Sequence, residues 1–312
     1  MAKTTKQKSA NKVIIEENYS GTYINPLTDF GFKRLFGTES NKDLLIHFLN
    51  SVLKIDGEII DLQHCNVEQK GRIKTDRKAF FDLHCTTNKG EFIIVEMQNM
   101  PQKYFKDRAV YYITFPVQQQ GEKKKRWNYK LNPIYSINIL NFSLEESNDD
   151  ELQYYHKVML MDISRNKVFY EKLIFLFLEL PDFSKSEEKI ETFMDWWYFI
   201  LKNLPMLDKL PDALEKNKIF KKLFYQAELA NMTKEELNKY DKSLKNYRDM
   251  YTVKHIVRDF QRENVLLKKQ YTGLEKQYTG LEKQYTGLEK HNADLVKQNE
   301  NLLQEINKLR NN

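Results

Sequence analysis

The stretch Lys78–Asn99, KAFFDLHCTTNKGEFIIVEMQN, decides how this chain folds. Lys78–Thr86 and Glu91–Gln98 are rich in Phe, Ile and Val, and the turn formers Asn88 and Gly90 stand between them. Two β-forming runs around such a break predict a hairpin. With Asn88–Lys89–Gly90 as the connection, Asp82 and Glu96 lie symmetrically about Lys89 and face each other across the two strands. Their Cβ atoms are then about 5 Å apart. A glycine bulge at the turn would shift that pairing by one place. Gln98, two residues beyond Glu96, shares its face, as do Phe92 and Ile94. The opposite face is assigned Phe81, Leu83, Cys85, Ile93, Val95 and Met97. Apolar residues on both faces predict strands covered on both sides.

Two carboxylates in such a place repel each other and resist desolvation. One relief is a cation held between them, and hard oxygen ligands at this spacing suit Mg²⁺ or Mn²⁺. The other is that Asp82 caps a sheet edge while Glu96 pairs with Arg72, Arg77, Lys78 or Arg108. The spacing leaves both open.

Upstream, Phe30, Phe32, Leu35 and Phe36, then Leu44, Leu45, Phe48, Leu49, Val52 and Leu53, recur at helical spacing. Thr28 and Asp29 stand where the first of these helices needs a cap. Downstream, Tyr104–Val117 reads as a helix limited by Pro116, and Pro133–Phe142, Lys157–Ile163 and Lys172–Leu180 read as strands. From Phe183 to Arg262 the pattern is helical and charged, anchored by Trp196, Trp197 and Phe199.

The last segment has its own logic. QYTGLEK occurs at Gln270–Lys276, Gln277–Lys283 and Gln284–Lys290. Leu267, Leu274, Leu281, Leu288, Leu295, Leu302 and Leu309 stand seven apart. With these at d, the a positions are Tyr271, Tyr278, Tyr285, Asn292, Asn299 and Ile306. An apolar residue every 3.5 positions predicts a left-handed coiled coil with a partner helix, here a homodimer through Leu267–Leu309. Each repeat is one whole heptad, so repeat number can change without breaking register. The expected domains are a flexible basic tail (1–20), a core (21–182), a helical region (183–262) and the coiled coil (263–312).

Composition narrows the classes. Of 312 residues, 41% are hydrophobic and 30% charged, which excludes a wholly disordered chain. Cys65 and Cys85 alone make no disulfide framework and no zinc knuckle. The net charge of +6 permits binding to a polyanion. The longest apolar runs, Leu173–Leu178 and Trp196–Leu201, are far short of the roughly 20 residues that span a bilayer. The polar start MAKTTKQKSANK does not read as a secretory signal, so a cytoplasmic, reducing compartment is expected, with no membrane partner. No phosphate-binding glycine loop is present. The histidines show no metal-site spacing, and His84, on the Asp82 face, reads as a core or supporting residue.

Five segments carry a family resemblance: NPLTDFGFKRLFG (Asn25–Gly37), FFDLHC (Phe80–Cys85), EFIIVEMQN (Glu91–Asn99), YFKDRAVYY (Tyr104–Tyr112) and PIYSINILNF (Pro133–Phe142). Together they resemble the PD-(D/E)xK nuclease superfamily and, more closely, its Rpn-like recombination-promoting nuclease and transposase family. The resemblance covers roughly 21–142 and weakens toward Phe183. It implies an α/β fold, a restriction-endonuclease-like mixed sheet flanked by helices, followed by the helical region and the C-terminal coiled coil.

The resemblance also implies a metal site on the central hairpin. Asp82 and Glu96 are then the ligands, with the Met97 backbone carbonyl a third, and activated water attacks a DNA phosphodiester. Asp29 matches the family's first acidic position, as a further ligand or as a helix N-cap. Gln98 stands where the superfamily usually has lysine, and it can neither carry a proton nor a charge. It can still orient water, and a cation such as Lys33 can supply the missing charge. Arg108 and Tyr112, one helical turn apart, can point toward the site. Arg108 either contacts a phosphate or orders Glu96 or Asp29 by an ion pair. Gln118, Gln119 and Gln120 either approach a DNA strand or form an exposed helix end. The expected function is a Mg²⁺-dependent DNA endonuclease (Mn²⁺ as substitute) linked to recombination, mobile elements or defence. It is dimerised by the coiled coil, and basic clusters at Lys70–Lys78 and Lys123–Arg126 hold phosphates. The alternative is an inactive DNA-binding or assembly protein that keeps the nuclease fold, which Gln98 favours. A rod that recruits another protein is a third reading.

Overall fold

The hairpin forms as β4 (Leu83–Thr87) and β5 (Phe92–Gln98), antiparallel, with Leu83 opposite Val95 and Thr86 opposite Phe92. At the turn, Gly90 N–H donates to the Thr87 carbonyl and Thr87 N–H to the Glu91 carbonyl, each at 2.9 Å. Gly90 has φ +79°, a left-handed conformation that only glycine adopts without strain. The pairing therefore stays symmetric about Lys89, without the one-place shift.

The computed structural model describes residues 21–53, 57–69, 79–121, 128–144 and 154–310. The basic tail, the clusters at 70–78 and 123–126, and Arg72, Arg77 and Lys78 lie outside them. Two helices, α1 (Asp29–Phe36) and α2 (Lys42–Val52), precede the short strands β1 (Leu62–His64), β2 (Glu68–Gln69) and β3 (Ala79–Phe80). After β5 come α3 (Phe105–Gly121), β6 (Ile134–Leu140), β7 (Tyr155–Asp162) and β8 (Lys167–Glu179). The chain ends with α4 (Phe193–Asn203), α5 (Lys218–Ala227) and α6 (Lys234–Arg310).

Six strands form one mixed sheet in the order β1-β4-β5-β6-β8-β7. The central pairs β5–β6 and β6–β8 are parallel, and the rest are antiparallel. Every residue of β6 is buried, as expected for a parallel strand covered on both faces. On one face Leu83, Cys85, Ile93 and Val95 join α1, α2, α4 and α5 in the main core. On the other, Phe105, Ala109 and Ile113 of α3 pack on Ile134, Leu140, Phe175 and Phe177. This is the expected mixed α/β sheet flanked by helices.

Apolar residues beyond 182 belong to that same core. Trp197 is fully buried against Phe36 and Phe48, and its indole N–H donates to His47 Nδ1 at 3.0 Å. Burying a side chain of this kind contributes about 1.5–3 kcal/mol. Ile24 N–H donates to the Ala227 carbonyl and Leu229 N–H to the Thr22 carbonyl, so the start of the described chain is tied to the end of α5. The compact unit ends at Tyr251, and a second begins at Thr252. In the second unit α6 continues as an unbroken helix whose Leu267, Leu274, Leu281, Leu288, Leu295 and Leu302 are exposed. Among the described residues no helix is long and apolar enough to cross a membrane.

Three local expectations change. The strand expected from Lys78 to Thr86 is interrupted at Phe81–Asp82, between β3 and β4. Phe81 consequently leaves the face assigned to it and packs with Ile94, Tyr112 and Phe115 under α3. Alternation holds only while the ladder does, and Phe81 N–H donates instead to the Val67 carbonyl at 3.0 Å. Finally, α3 runs through Pro116 to Gly121. Proline in a helix costs about 3 kcal/mol, and buried Ile113 and Pro116 with the packed Val117 offset it through tertiary contacts.

Candidate active site

Asp82 sits at the bend just before β4, opposite Glu96 near the end of β5. The ladder lapses there because the two side chains take its amides. Asp82 N–H donates to Glu96 Oε1 at 3.2 Å, and Met97 N–H donates to Asp82 Oδ2 at 2.7 Å. Gln98 Nε2 donates to Glu96 Oε2 at 3.3 Å. Asp82, Glu96 and Gln98 are thus brought together at one end of the hairpin, and the Met97 group bound to Asp82 is its N–H.

Arg108, on α3, lies 3.8 Å from Glu96 Oε2 through Nη2. Its Nη1 donates to Gln102 Oε1 at 2.6 Å, and its guanidinium carbon lies 5.5 Å from the centres of the Phe105 and Tyr112 rings. Nη2 is buried and lacks a hydrogen-bond partner among the described residues. Of the four bases that spacing allowed as partners for Glu96, Arg108 is the one that lies among the described residues, and it stands beside Glu96.

Glu96 is 4% exposed. Burial, then the charge of Asp82, push its carboxyl well above the usual range, against the pull of Arg108. Burial also raises Asp82, and Asp29 adds to the rise, whereas the Met97 amide, Lys33 and Arg108 oppose it. Each acid therefore holds a proton more tightly than a free carboxyl does.

Asp29 stands at the first position of α1 rather than at its cap. Thr28 is the N-cap, its Oγ accepting from Gly31 N–H at 3.0 Å. Asp29 pairs with Lys33 at 2.6 Å and is largely exposed. It reaches the pair through its field alone. Among the described residues no group of three or more His, Cys, Asp and Glu side chains is arranged to hold a metal ion. His84 is buried between Phe81 and Phe92, with Nδ1 3.3 Å from the Asn66 carbonyl, so it is a core residue beside the site. Gln120 Oε1 accepts from Asn132 N–H at 2.6 Å, tying the helix end to the next loop.

Asn99 is a residue the sequence reading passed over. Its Nδ2 donates to the Leu27 carbonyl at 2.8 Å, joining the end of β5 to the segment before α1. Asn141, just beyond β6, donates to Asn99 Oδ1 at 3.4 Å. Gly31 allows that segment to fold tightly: a Cβ there would lie 2.2 Å from the Asn25 carbonyl oxygen. The clue was the asparagine directly after the acidic strand, a polar side chain at a strand end that must find a partner.

The donor set fits a small divalent cation. Two hard carboxylates, Glu96 buried and Asp82 half-buried, are linked through backbone amides across the hairpin, and the Asp82 charge raises the proton affinity of Glu96, so a divalent ion relieves the repulsion that a proton otherwise relieves. Residues 26–256 match a family model described as PD-(D/E)XK nuclease family transposase. No curated protein and no solved structure matches the chain.

Proposed function

We propose, from the premise that this chain belongs to the PD-(D/E)XK nuclease family transposases, that it is a Mg²⁺-dependent DNA endonuclease with Asp82 and Glu96 as its metal ligands. The observation that carries this reading is the acid pair itself, Glu96 buried and Asp82 half-buried, with each carboxylate anchored by a backbone amide across the hairpin. When bound, Mg²⁺ supplies Lewis-acid stabilisation of phosphate charge and a more acidic water.

The chain's own residues do the rest. Asp82 and Glu96 would hold the ion, and the Met97 carbonyl would be a further oxygen ligand. Asp29 would join it only through water, since in the structure it pairs with Lys33 and acts on Asp82 through its charge. Gln98 fixes Glu96 by its 3.3 Å hydrogen bond and orients the attacking water, but takes no proton. Lys33, whose charge already favours ionised Asp82, supplies the cation that Gln98 cannot. Arg108, whose Nη2 makes no hydrogen bond among the described residues, would turn its guanidinium to a substrate phosphate, a charge-assisted contact. Paired α6 helices join two chains, so two sites act on one duplex. Family membership supports a role in recombination or DNA mobility.

Plasmid nicking with Mg²⁺, with Mn²⁺ and with EDTA tests the reading. Cleavage with either metal and none with EDTA is expected. Cleavage that persists in EDTA, or none with either metal, rejects it. The last outcome is the one expected of a catalytically silent DNA-binding or assembly protein, a reading favoured by Gln98 in place of lysine.

A further inference from the structure

The leucine ladder begins earlier than Leu267. Counting back in sevens along α6 places Phe260 and Val253 at d, and Asn264, Val257 and Met250 at a. Met250, Val253, Val257 and Phe260 are all exposed, which leaves an apolar stripe in phase with the leucines. The stripe starts where the compact unit ends.

The repeat block cannot by itself choose a register. Sliding one QYTGLEK chain by a heptad still sets Tyr on Tyr and Leu on Leu. The flanks do choose. In register, Asn264, Asn292 and Asn299 each face their own copy, amide to amide. After a one-heptad slip, Asn264 faces Val257 or Tyr271, and Asn292 meets Tyr285. A lone buried amide facing an apolar or aromatic partner costs free energy that a paired amide does not. Charge acts the same way. In register, Glu263 at g faces Lys268 at e of the other chain, whereas a slip sets one Glu263 against Glu275. Antiparallel pairing would oppose e to e, setting Glu275, Glu282 and Glu289 against one another.

We infer that the seam runs from Met250 to Ile306, that its occupant is a second copy of this chain, parallel and in register, and that Asn264, Asn292 and Asn299 set the register while the QYTGLEK block is a register-neutral spacer. This extends the dimer of the proposed function and does not depend on catalysis.

The test uses the full chain with half-buried Cys65 replaced by Ser, buried Cys85 being kept. Val253→Cys and Leu274→Cys should each oxidise to a self-linked dimer, since d residues of a parallel pair face each other. Oxidising a mixture of Leu274→Cys and Leu281→Cys chains should give the two self-linked species and little of the mixed one. Converting Asn264, Asn292 and Asn299 to Leu in both chains should make the mixed species appear. Mixed linkage in the otherwise native background overturns the register. Failure of Val253→Cys to link while Leu274→Cys links overturns the extension. A monomer by sedimentation overturns the seam and the dimer together, and plasmid nicking reads the acid pair separately.

Discussion

Asp82 and Glu96 each hold the other's strand: the amide of Asp82 donates to Glu96, and the amide following Glu96 donates to Asp82. The exchange ends the β4–β5 ladder and fixes both carboxyl groups, with no base bridging them among the described residues. A structural acid pair would be expected to shed its repulsion onto nearby cations. Here, among the described residues, Arg108 stands 3.8 Å from Glu96 and both acids keep a raised proton affinity.

Asp82→Ala and Glu96→Ala should each abolish Mg²⁺-dependent nicking. The loss should exceed the roughly 10–100-fold that removing a mere supporting partner of a metal ligand costs. Circular dichroism should remain native, since the flanking residues Leu83 and Val95 carry the packing. Full nicking by both variants would sink the assignment.

Metal binding should depend on pH. Burial and Asp82 push Glu96 up to about 8, so below that value an entering cation must displace a proton. Mg²⁺ affinity should rise with pH toward about 8 and level off above it. Calorimetry in two buffers of different ionisation enthalpy counts the released proton. Affinity that ignores pH over this range would mean that Glu96 is no ligand.

Asp195 should govern acid stability. Thr192 and Asp195 form the capping box of α4, and Lys185 lies 3.0 Å from the carboxylate. Burial acts to raise its pKa, but the Lys185, Thr192 and Glu191 hydrogen bonds prevail and hold it below the ordinary 3.8. Its ionised form therefore stabilises the fold above that value, and the contribution drains away as pH falls through the folded-state pKa. The melting-temperature gap between the native chain and Asp195→Asn should be widest near neutrality and narrow below about pH 4. A gap independent of pH would show that the charge contributes nothing.

Trp197→Ala should destabilise the compact unit by about 3–5 kcal/mol, because it opens a cavity against Phe36 and Phe48 and leaves His47 Nδ1 without its donor. Chemical denaturation measures this. A loss below about 1 kcal/mol would mean that the helices after 182 are not structurally part of the core.

Much of the chemistry was legible along the chain because the hairpin is local. Strand alternation and a three-residue turn place Glu96 opposite Asp82 with no reference to the rest of the molecule, and the family motifs lie on the same elements. The heptads of α6 are legible for the same reason, since a helix converts spacing directly into a face. What required the tertiary structure is contact between residues far apart in sequence. Lys33 reaches Asp82 from α1, Arg108 arrives on α3, Asn99 seizes the Leu27 carbonyl, and Trp197 enters the core that the hairpin began. Phe81 changed faces for that reason too: its amide found Val67, and its ring found Tyr112 and Phe115. Periodicity specifies which way a side chain points from its own element. Only packing, which minimises exposed apolar surface and unpaired polar groups across the whole chain, specifies what it meets there.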